Sequence, residues 1–468
     1  MNRIETVLVG NKIIRQKYLN MNKIDKKFYN RKSNKWAIKV IISLSLTWVM
    51  LNANEVKEGE QVLFSQQSVS PCFINYNVLV QEGLVSNPNI LVSKNAIKGS
   101  EYKIEGAKWG YYPSPSIEVS STTSSGLRTV ARLDQPLWTG GKLDSIYDNA
   151  LAQKDEAIHS HAQEQYTLIR KYITALQDYL QAQNKISLLH KNTNQFKTLG
   201  KMLDRMITAG IASKADRDLL NSRLSGVYSQ ILTTKSKLKI AKVQFELFTG
   251  KPINCKINYE YKKEFDRNDD IEKLMEKSSF FHPSLKILDA NIKTTISELG
   301  NSKSKLWPTL ILRGEHRNGT LYDEDTEPST QNSIYLTFQY SPGAGLSSIS
   351  DIGEKRSNIL RAKSQKLAKE EELADELINE YTTYITVKSN IEILLENIIR
   401  AKHIYQSDKR LYMSQKKDWI DLVNSLSKWN QQEILHSDLD IEKKILEYKM
   451  NLRTGKINLG TGVVFNVL

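Results

Sequence analysis

Residues that often carry chemistry are present in this sequence, but their spacing does not assemble a catalytic site. The stretch "PGAGLSS" from Pro342 imitates a nucleotide-binding loop, yet it lacks the third glycine of that motif, and "GGK" from Gly140 is not a phosphate loop. None of the seven histidines stands at zinc-binding spacing with acids or cysteines: His159, His161, His190, His282, His316, His403 and His436. The sequence therefore predicts a protein that is not an enzyme and that uses no metal or cofactor.

Two cysteines, Cys72 and Cys255, are the remaining reactive side chains. In an oxidising compartment such a pair can form one disulfide. Each lies shortly before the start of an internal repeat described below, which favours their being neighbours. Two unrelated buried thiols are the alternative interpretation.

Positive charge is concentrated at the N-terminus, where residues 1–53 hold eleven Lys or Arg and two acids, which is nine of the fourteen excess positive charges. Elsewhere no basic patch alternates with aromatic residues, which argues against a nucleic-acid partner. The same segment ends in the apolar run Val40–Leu51 and the small residue Ala53, which is typical of a signal peptide, with Met21 as an alternative start. A run of twelve residues is shorter than the roughly twenty that a membrane helix needs. A buried hydrophobic strand is the alternative.

The positions of the prolines predict where the long helices of the chain lie. No proline occurs between Pro136 and Pro252 or after Pro342. Because proline is excluded from helix interiors, these gaps predict two long helical hairpins. The helix predicted over Leu143–Ile207 would be about 100 Å long, which is typical of a coiled coil, a repeat array or a tube.

Between the gaps, apolar and polar residues alternate in four stretches that predict two β-hairpins: Ser116–Ser125, Leu127–Leu137, Thr309–Arg317 and Asn332–Tyr340. In the fourth, Ile334, Leu336 and Phe338 share one face with Tyr340. A membrane-barrel strand with a wet lumen has this pattern, and so does a strand of a soluble sheet. Six aromatic residues cluster at one end of these strands and favour the membrane interpretation as an interfacial girdle: Trp109, Tyr111, Tyr112, Trp138, Trp307 and Tyr340.

The sequence also repeats itself. Asn87-Pro88 and Pro113 recur 195 residues later as His282-Pro283 and Pro308. At the hairpin tips one spacing occurs twice, as Arg205, Gly210 and Asp216 and as Arg410, Gln415 and Asp421. A rival register, two residues away, superposes "DLLNS" on "DLVNS". Each repeat is predicted to run helix, two strands, glycine-rich bend, long helix and return helix.

This order, with "QPLWTGG" before a long helix and "RMITAGIASKAD" at a tip, resembles the TolC family of outer-membrane export ducts over about residues 80–455. "QPLWTGG" and "YSPGAGLSSIS" resemble its type I secretion branch, the adhesin-exporting LapE-like proteins, more than its drug-efflux branch. The resemblance implies a mainly α fold with membrane β-structure: a homotrimer with a twelve-stranded barrel, four strands per chain, continuous with a periplasmic α-helical barrel. Four strands alone would leave open edges unpaired in lipid, so the residues themselves require an oligomer.

The resemblance also implies a gate at the periplasmic end. Asp421 matches an acid that rings the mouth, Asn424 stands where a second acid is expected, and Tyr412 and Lys417 match gate hydrogen-bonding residues. Asp216 is the first-repeat equivalent of Asp421, and helix capping is the alternative for both acids.

Two further groups of residues receive expected roles. Contact of the tip with a periplasmic adaptor, or a plain surface role, is expected for Arg205, Gly210, Arg410 and Gln415. A bend from barrel to tunnel is expected at Pro136, Gly140, Gly141, Pro342, Gly343 and Gly345, where glycine relaxes the backbone and proline limits strand pairing.

The predicted organisation is a signal peptide (1–53), a periplasmic N-terminal segment (54–80), repeat 1 (81–250), a linker (251–275), repeat 2 (276–455) and a C-terminal tail (456–468). The expected function is a passive exit duct in the cell outer membrane, in contact with its lipid. It would serve type I secretion of a large protein with a periplasmic adaptor and an inner-membrane ABC transporter. A multidrug efflux channel and a soluble periplasmic coiled-coil scaffold are the alternatives.

Overall fold

The structure is a computed structural model that describes residues 72–122, 126–259, 270–319 and 329–456. The chain divides into two units, residues 1–69 and 70–468, and every described residue belongs to the second. The predicted signal peptide and nearly all of the predicted C-terminal tail lie outside the described residues.

The described elements follow one another in an order that is nearly the same in both halves of the chain. They are β1 (Phe73–Asn75), α1 (Tyr76–Ser86), α2 (Pro88–Trp109), β2 (Ser114–Thr122), β3 (Gly126–Trp138), α3 (Lys142–Thr208), α4 (Lys214–Thr249), β4 (Lys256–Asn258), α5 (Ile271–Phe281), α6 (Pro283–Ser304), β5 (Thr309–Gly319), β6 (Ser329–Gln339), α7 (Ser348–Met413) and α8 (Trp419–Arg453). The predicted segment boundary at residue 80 falls inside α1, and that at residue 275 falls inside α5.

The two longest helices lie in the two proline-free gaps. α3 has 67 residues and α7 has 66, so each is about 100 Å long. The predicted helix over Leu143–Ile207 is therefore confirmed to within one residue at each end. None of the described helices is both long and apolar enough to cross a membrane.

The helices form layers that are one helix thick. Near the hairpin tips the order of neighbours is α4, α3, α8 and α7, and near the strands it is α2, α3, α6 and α7. The outer helices carry large apolar side chains that remain exposed in the single chain, such as Leu232 and Leu247 on α4 and Ile393 and Ile399 on α7. Exposed apolar stripes on the two flanking helices are typical of surfaces that pack against another molecule.

The four predicted strands form one antiparallel sheet in the order β2, β3, β5 and β6. The predicted alternation appears in the exposure of the side chains: Ile334 is 81%, Leu336 61% and Phe338 71% exposed. These residues share a face with Ile117 and Leu133, which are also exposed. Within the described chain β2 and β6 each pair on one side only, so the sheet is open and does not close into a barrel.

A mixed core lies between the sheet and the hairpin tips, and the sequence did not predict its two short strands. β1 and β4 pair in parallel, directly after Cys72 and Cys255. Tyr76, which is fully buried, packs edge-on against Tyr172 and Phe245 of the first hairpin. Strands of three residues are too short to show alternation, which is why the pattern missed them.

Cys72 and Cys255 form a disulfide, with their Cα atoms 4.9 Å apart. Next to the disulfide, Lys256 N donates a hydrogen bond to Cys72 O, at 3.0 Å. This is the first of the two interpretations that the sequence left open.

Replacing both Cys72 and Cys255 by serine is expected to lower the free energy of unfolding by about 2–4 kcal/mol, because the unfolded chain regains the entropy of a long closed loop. Guanidinium unfolding of the detergent-solubilised protein would measure the change. Reduced wild-type protein should unfold at the same midpoint as the double variant. Equal midpoints for the oxidised wild type and the variant would show that the bond does not stabilise the fold.

Candidate functional site

The face of the sheet opposite the apolar one is lined by ion pairs. Arg132 on β3 donates to Glu118 on β2 at 2.9 Å and to Glu315 on β5 at 3.0 Å. Arg313 holds both carboxylate oxygens of Asp134, at 2.6 and 2.7 Å. A network of charged groups across three strands suits a wet surface, whereas the apolar face suits lipid. The two faces of the sheet therefore suit different surroundings.

Aromatic side chains lie where the strands meet the helices. All six predicted girdle residues are exposed, and Trp138 and Trp307 pack edge-on with ring centroids 6.2 Å apart. Amphipathic aromatic rings at one end of an apolar sheet face are typical of a membrane–water interface.

The first bend is made by glycines that take left-handed backbone angles. Gly140 and Gly141 have φ of 62° and 83°, and α3 begins at the next residue. A Cβ on Gly140 would lie 2.6 Å from Cβ of Trp307, so both the conformation and the space require glycine there. Pro136 does not end β3, since the strand continues to Trp138 through a shift in register.

The second bend has the same position relative to its strand and long helix. Pro342 follows β6, and its carbonyl accepts a hydrogen bond from the Ser348 hydroxyl. Gly343 and Gly345 have φ of 88° and 58° on either side of the start of a short 3₁₀ turn. The structure thus brings all six bend residues to the two strand-to-helix junctions.

The hairpin tips share one pattern of backbone hydrogen bonds. Gly210 N donates to Ile207 O, and Gln415 N donates to Tyr412 O, both at 3.0 Å. Gly210 has φ of 72° and Gln415 has φ of 60°, which is uncommon for a residue with a Cβ. This correspondence follows the register that aligns Arg205 with Arg410.

The basic tip residues point away from the core. Arg205 and Arg410 are exposed, and the Arg205 guanidinium donates to the Lys201 carbonyl oxygen of its own helix, at 3.3 Å. Exposure is compatible with adaptor contact and with a plain surface role, so both interpretations stay predictions.

An apolar cluster joins the two hairpins just inside the tips. Leu203 of α3 and Leu220 of α4 are fully buried with Leu422 and Leu426 of α8. Tyr412 packs on the Trp419 ring, with centroids 5.2 Å apart. Among the predicted gate residues, Tyr412 is therefore part of this buried cluster, whereas Lys417 lies in the turn between α7 and α8.

Lys417 finds its partner within its own hairpin. Its ammonium lies 3.1 Å from the carboxylate of Asp408, a residue that is 5% exposed. The hydrogen bond to Asp408 raises the pKa of Lys417, with a smaller contribution from the charge of Asp421. Asp408 was not predicted as a site residue, because nothing in the spacing of nine residues between the two indicates a contact. Asp421 itself is exposed in the first turn of α8.

Asp216 forms a capping box with Ser213 at the start of α4. The Ser213 hydroxyl accepts from Asp216 N at 3.2 Å, and the Asp216 carboxylate accepts from Ser213 N at 3.2 Å. The capping interpretation thus has direct structural support. Burial raises the pKa of Tyr412, and the charge of Asp216 adds to the effect, so the acid also lies near Tyr412.

Asn424 accepts a hydrogen bond from Arg223 of α4, at 3.2 Å. Sequence reasoning did not find Arg223, because its partner lies 201 residues further along the chain. The structure therefore brings Tyr412, Lys417, Asp421, Asn424 and Asp216 to one end of the molecule and adds Asp408 and Arg223 to them.

Replacing Asp421 and Lys417 together by alanine is expected to raise the leak conductance of the protein in planar bilayers severalfold, because the charged contacts of the tips are lost from the closed state. Asp408→Asn should reproduce the part of the conductance increase that is due to Lys417, since it removes the same ion pair. Unchanged conductance and ion selectivity in the double variant would remove these residues from the gate.

An ion cluster around one buried arginine lies at the other end of the return helix α8. Arg453, 1% exposed, donates to Glu376 at 2.9 Å and to Glu380 at 3.0 and 3.1 Å, both on α7. Arg170 of α3 lies 3.5 Å from both acids. Burial favours a higher pKa for Glu376, but the hydrogen bond from Arg453 outweighs burial and lowers this pKa. The cluster fixes three helices where α8 ends.

Comparison with known proteins gives one family match. Residues 79–251 match the family described as outer membrane efflux protein. A comparison with curated protein sequences finds no match.

Solved structures share the fold over most of both chains. The outer-membrane channel OprN is 14% identical, with a TM-score of 0.69, over 82% of this chain and 90% of that one. The outer membrane protein VceC of Vibrio cholerae is 10% identical, with a TM-score of 0.69, over 81% and 96%. The Campylobacter jejuni CmeC outer membrane channel is 12% identical, with a TM-score of 0.65, over 88% and 95%. The chain therefore carries the outer membrane efflux protein pattern over residues 79–251 and has the fold of these solved outer-membrane channels.

Proposed function

We propose that this chain is one third of a trimeric outer-membrane duct that conducts its cargo passively. The observation that carries the proposal is the open four-stranded sheet, with one face apolar and exposed, the other ion-paired, and both edges unpaired within the described chain. An unpaired strand edge in lipid costs several kcal/mol for each polar backbone group. Pairing β6 of one copy with β2 of the next satisfies both edges.

Three copies are favoured over two by the size of the lumen. Two copies would give eight strands, whose interior is filled by side chains, whereas twelve strands leave an open passage. The exposed apolar stripes on α4 and α7 lie on the two flanking helices, as a ring of copies requires. Four long helices per chain would then continue the barrel as a tube across the periplasm.

The transport class that we propose is type I secretion of a large adhesin, with a periplasmic adaptor at the tips and an inner-membrane ABC transporter below it. The support is the pair of bend sequences "QPLWTGG" and "YSPGAGLSSIS", which resemble that branch. Multidrug efflux is the second candidate, and the description of the matched family as outer membrane efflux protein favours it. The chain performs no catalysis in either case.

Two experiments test the proposal in order. The purified protein should run as an oligomer that resists SDS until heated, and it should fractionate with the outer membrane. Release by osmotic shock as a detergent-free monomer would instead support the periplasmic scaffold. A deletion strain then separates the transport classes. Loss of a surface adhesin with unchanged dye and antibiotic sensitivity supports secretion, and the reverse result supports efflux.

A further inference from the structure

The return helices of the two hairpins touch directly at one polar contact near the tips. Arg223 Nη2 of α4 donates to Asn424 Oδ1 of α8, at 3.2 Å. α4 packs mainly on α3, α8 packs on α7 and α3, and α4 and α8 make few contacts with one another. Both side chains are exposed, on a surface that the shared apolar cluster of the tips does not cover.

The charges around this contact are unequal. Asp421 lies three residues before Asn424, so the two side chains share one side of α8. The positive charge of Lys417 is met by Asp408, and that of Arg217 by Asp204, at 3.2 Å. In the described part of the chain the hydrogen-bond partner of Arg223 is a neutral amide. Its charge is therefore not cancelled by an ion pair and is available to offset Asp421.

We propose that Arg223 determines the ion selectivity of the closed mouth and, through Asn424, links the two hairpins. This inference rests on the proposed function. In a ring of copies the mouth carries one Arg223 for each Asp421, so each arginine offsets part of the negative field of that acid. A narrow passage with low-dielectric walls amplifies any change in that balance. Loss of Arg223 removes this offset and makes the mouth more negative.

Two variants separate the effect of the Arg223 charge from the effect of its hydrogen bond to Asn424. Arg223→Gln removes the charge and retains an amide that can donate to Asn424, whereas Asn424→Leu retains the charge and removes the acceptor. Lys235→Gln is the matched control, because it removes one positive charge from the same helix about 18 Å away. The measurement is the reversal potential of the full-length protein in a planar bilayer across a potassium chloride gradient, with SDS-resistant oligomer checked for each variant.

Arg223→Gln is expected to raise the cation-to-anion permeability ratio about threefold or more, and Lys235→Gln to leave it unchanged. Asn424→Leu should raise the leak conductance with little change in the ratio. Suppose that the wild type conducts, but that Arg223→Gln shifts the reversal potential no more than Lys235→Gln does. That result would overturn this inference and leave the proposed function standing. A wild-type protein that forms no pore would overturn the proposed function and this inference with it.

Discussion

Replacing Leu336 by arginine is expected to abolish the outer-membrane oligomer. Leu336 lies on the apolar face of β6, between the exposed Ile334 and Phe338. An arginine at the lipid face of a barrel costs about 2–4 kcal/mol at the bilayer midplane, and a trimer carries this cost three times. The expected measurement is loss of the heat-modifiable band and of the protein from the outer-membrane fraction.

The control is the same substitution on the other face of the same strand. Ser333 lies opposite Glu315 on the ion-paired face, so Ser333→Arg adds a charge where charges are already paired. This variant should assemble as the wild type does. If Leu336→Arg assembled equally well, the apolar face would not be a lipid surface, and the soluble scaffold would become the better interpretation.

The second large effect is expected from Arg453→Met. The substitution keeps most of the side-chain volume but leaves Glu376 and Glu380 without their buried partner. Because Arg170 still lies beside both acids and Glu376 is partly exposed, the expected loss is about 1–3 kcal/mol, the cost of leaving hydrogen-bonding groups without their partner. Guanidinium unfolding in detergent, with the disulfide intact, would measure the loss. Lys443→Met, on the same helix at a more exposed position, is the control and should change little.

The pH dependence of the free energy of unfolding gives a second readout for Arg453→Met. In the wild type the pKa of Glu376 is lowered from its ordinary value of 4.5, so this acid stabilises the fold above that pH and loses its contribution as the pH falls through the folded pKa. In Arg453→Met this acid-side loss should shrink. Wild-type stability and wild-type pH dependence in the variant would show that the cluster does not hold α8 to α7.

The sequence predicts the long elements well because their signals are local. Proline-free gaps mark α3 and α7, and period-two alternation marks the four strands of the sheet, although β6 ends at Gln339, one residue before the predicted end. The tips are placed by the recurring spacing of Arg205 and Arg410 with their neighbours. Each of these signals is contained within a few dozen consecutive residues.

The contacts that the sequence does not predict are those that join distant segments. Arg223 meets Asn424 across 201 residues, and Arg453 reaches back 73 residues to Glu380. Neither arginine belongs to a motif. An arginine on a helix is most often a solvated side chain, so the residue type alone does not indicate a partner. Only the packing of the helices identifies which arginines have partners.

The disulfide between Cys72 and Cys255 makes residues 72–255 a covalent ring. That ring contains β2, β3, α3 and α4, whereas α7 and α8 lie outside it. A protease that cuts once within the ring leaves a single molecule until a reductant is added. A cut within α7 or α8 divides the chain into two pieces at once, so the two hairpins differ in how a nick affects the integrity of the polypeptide.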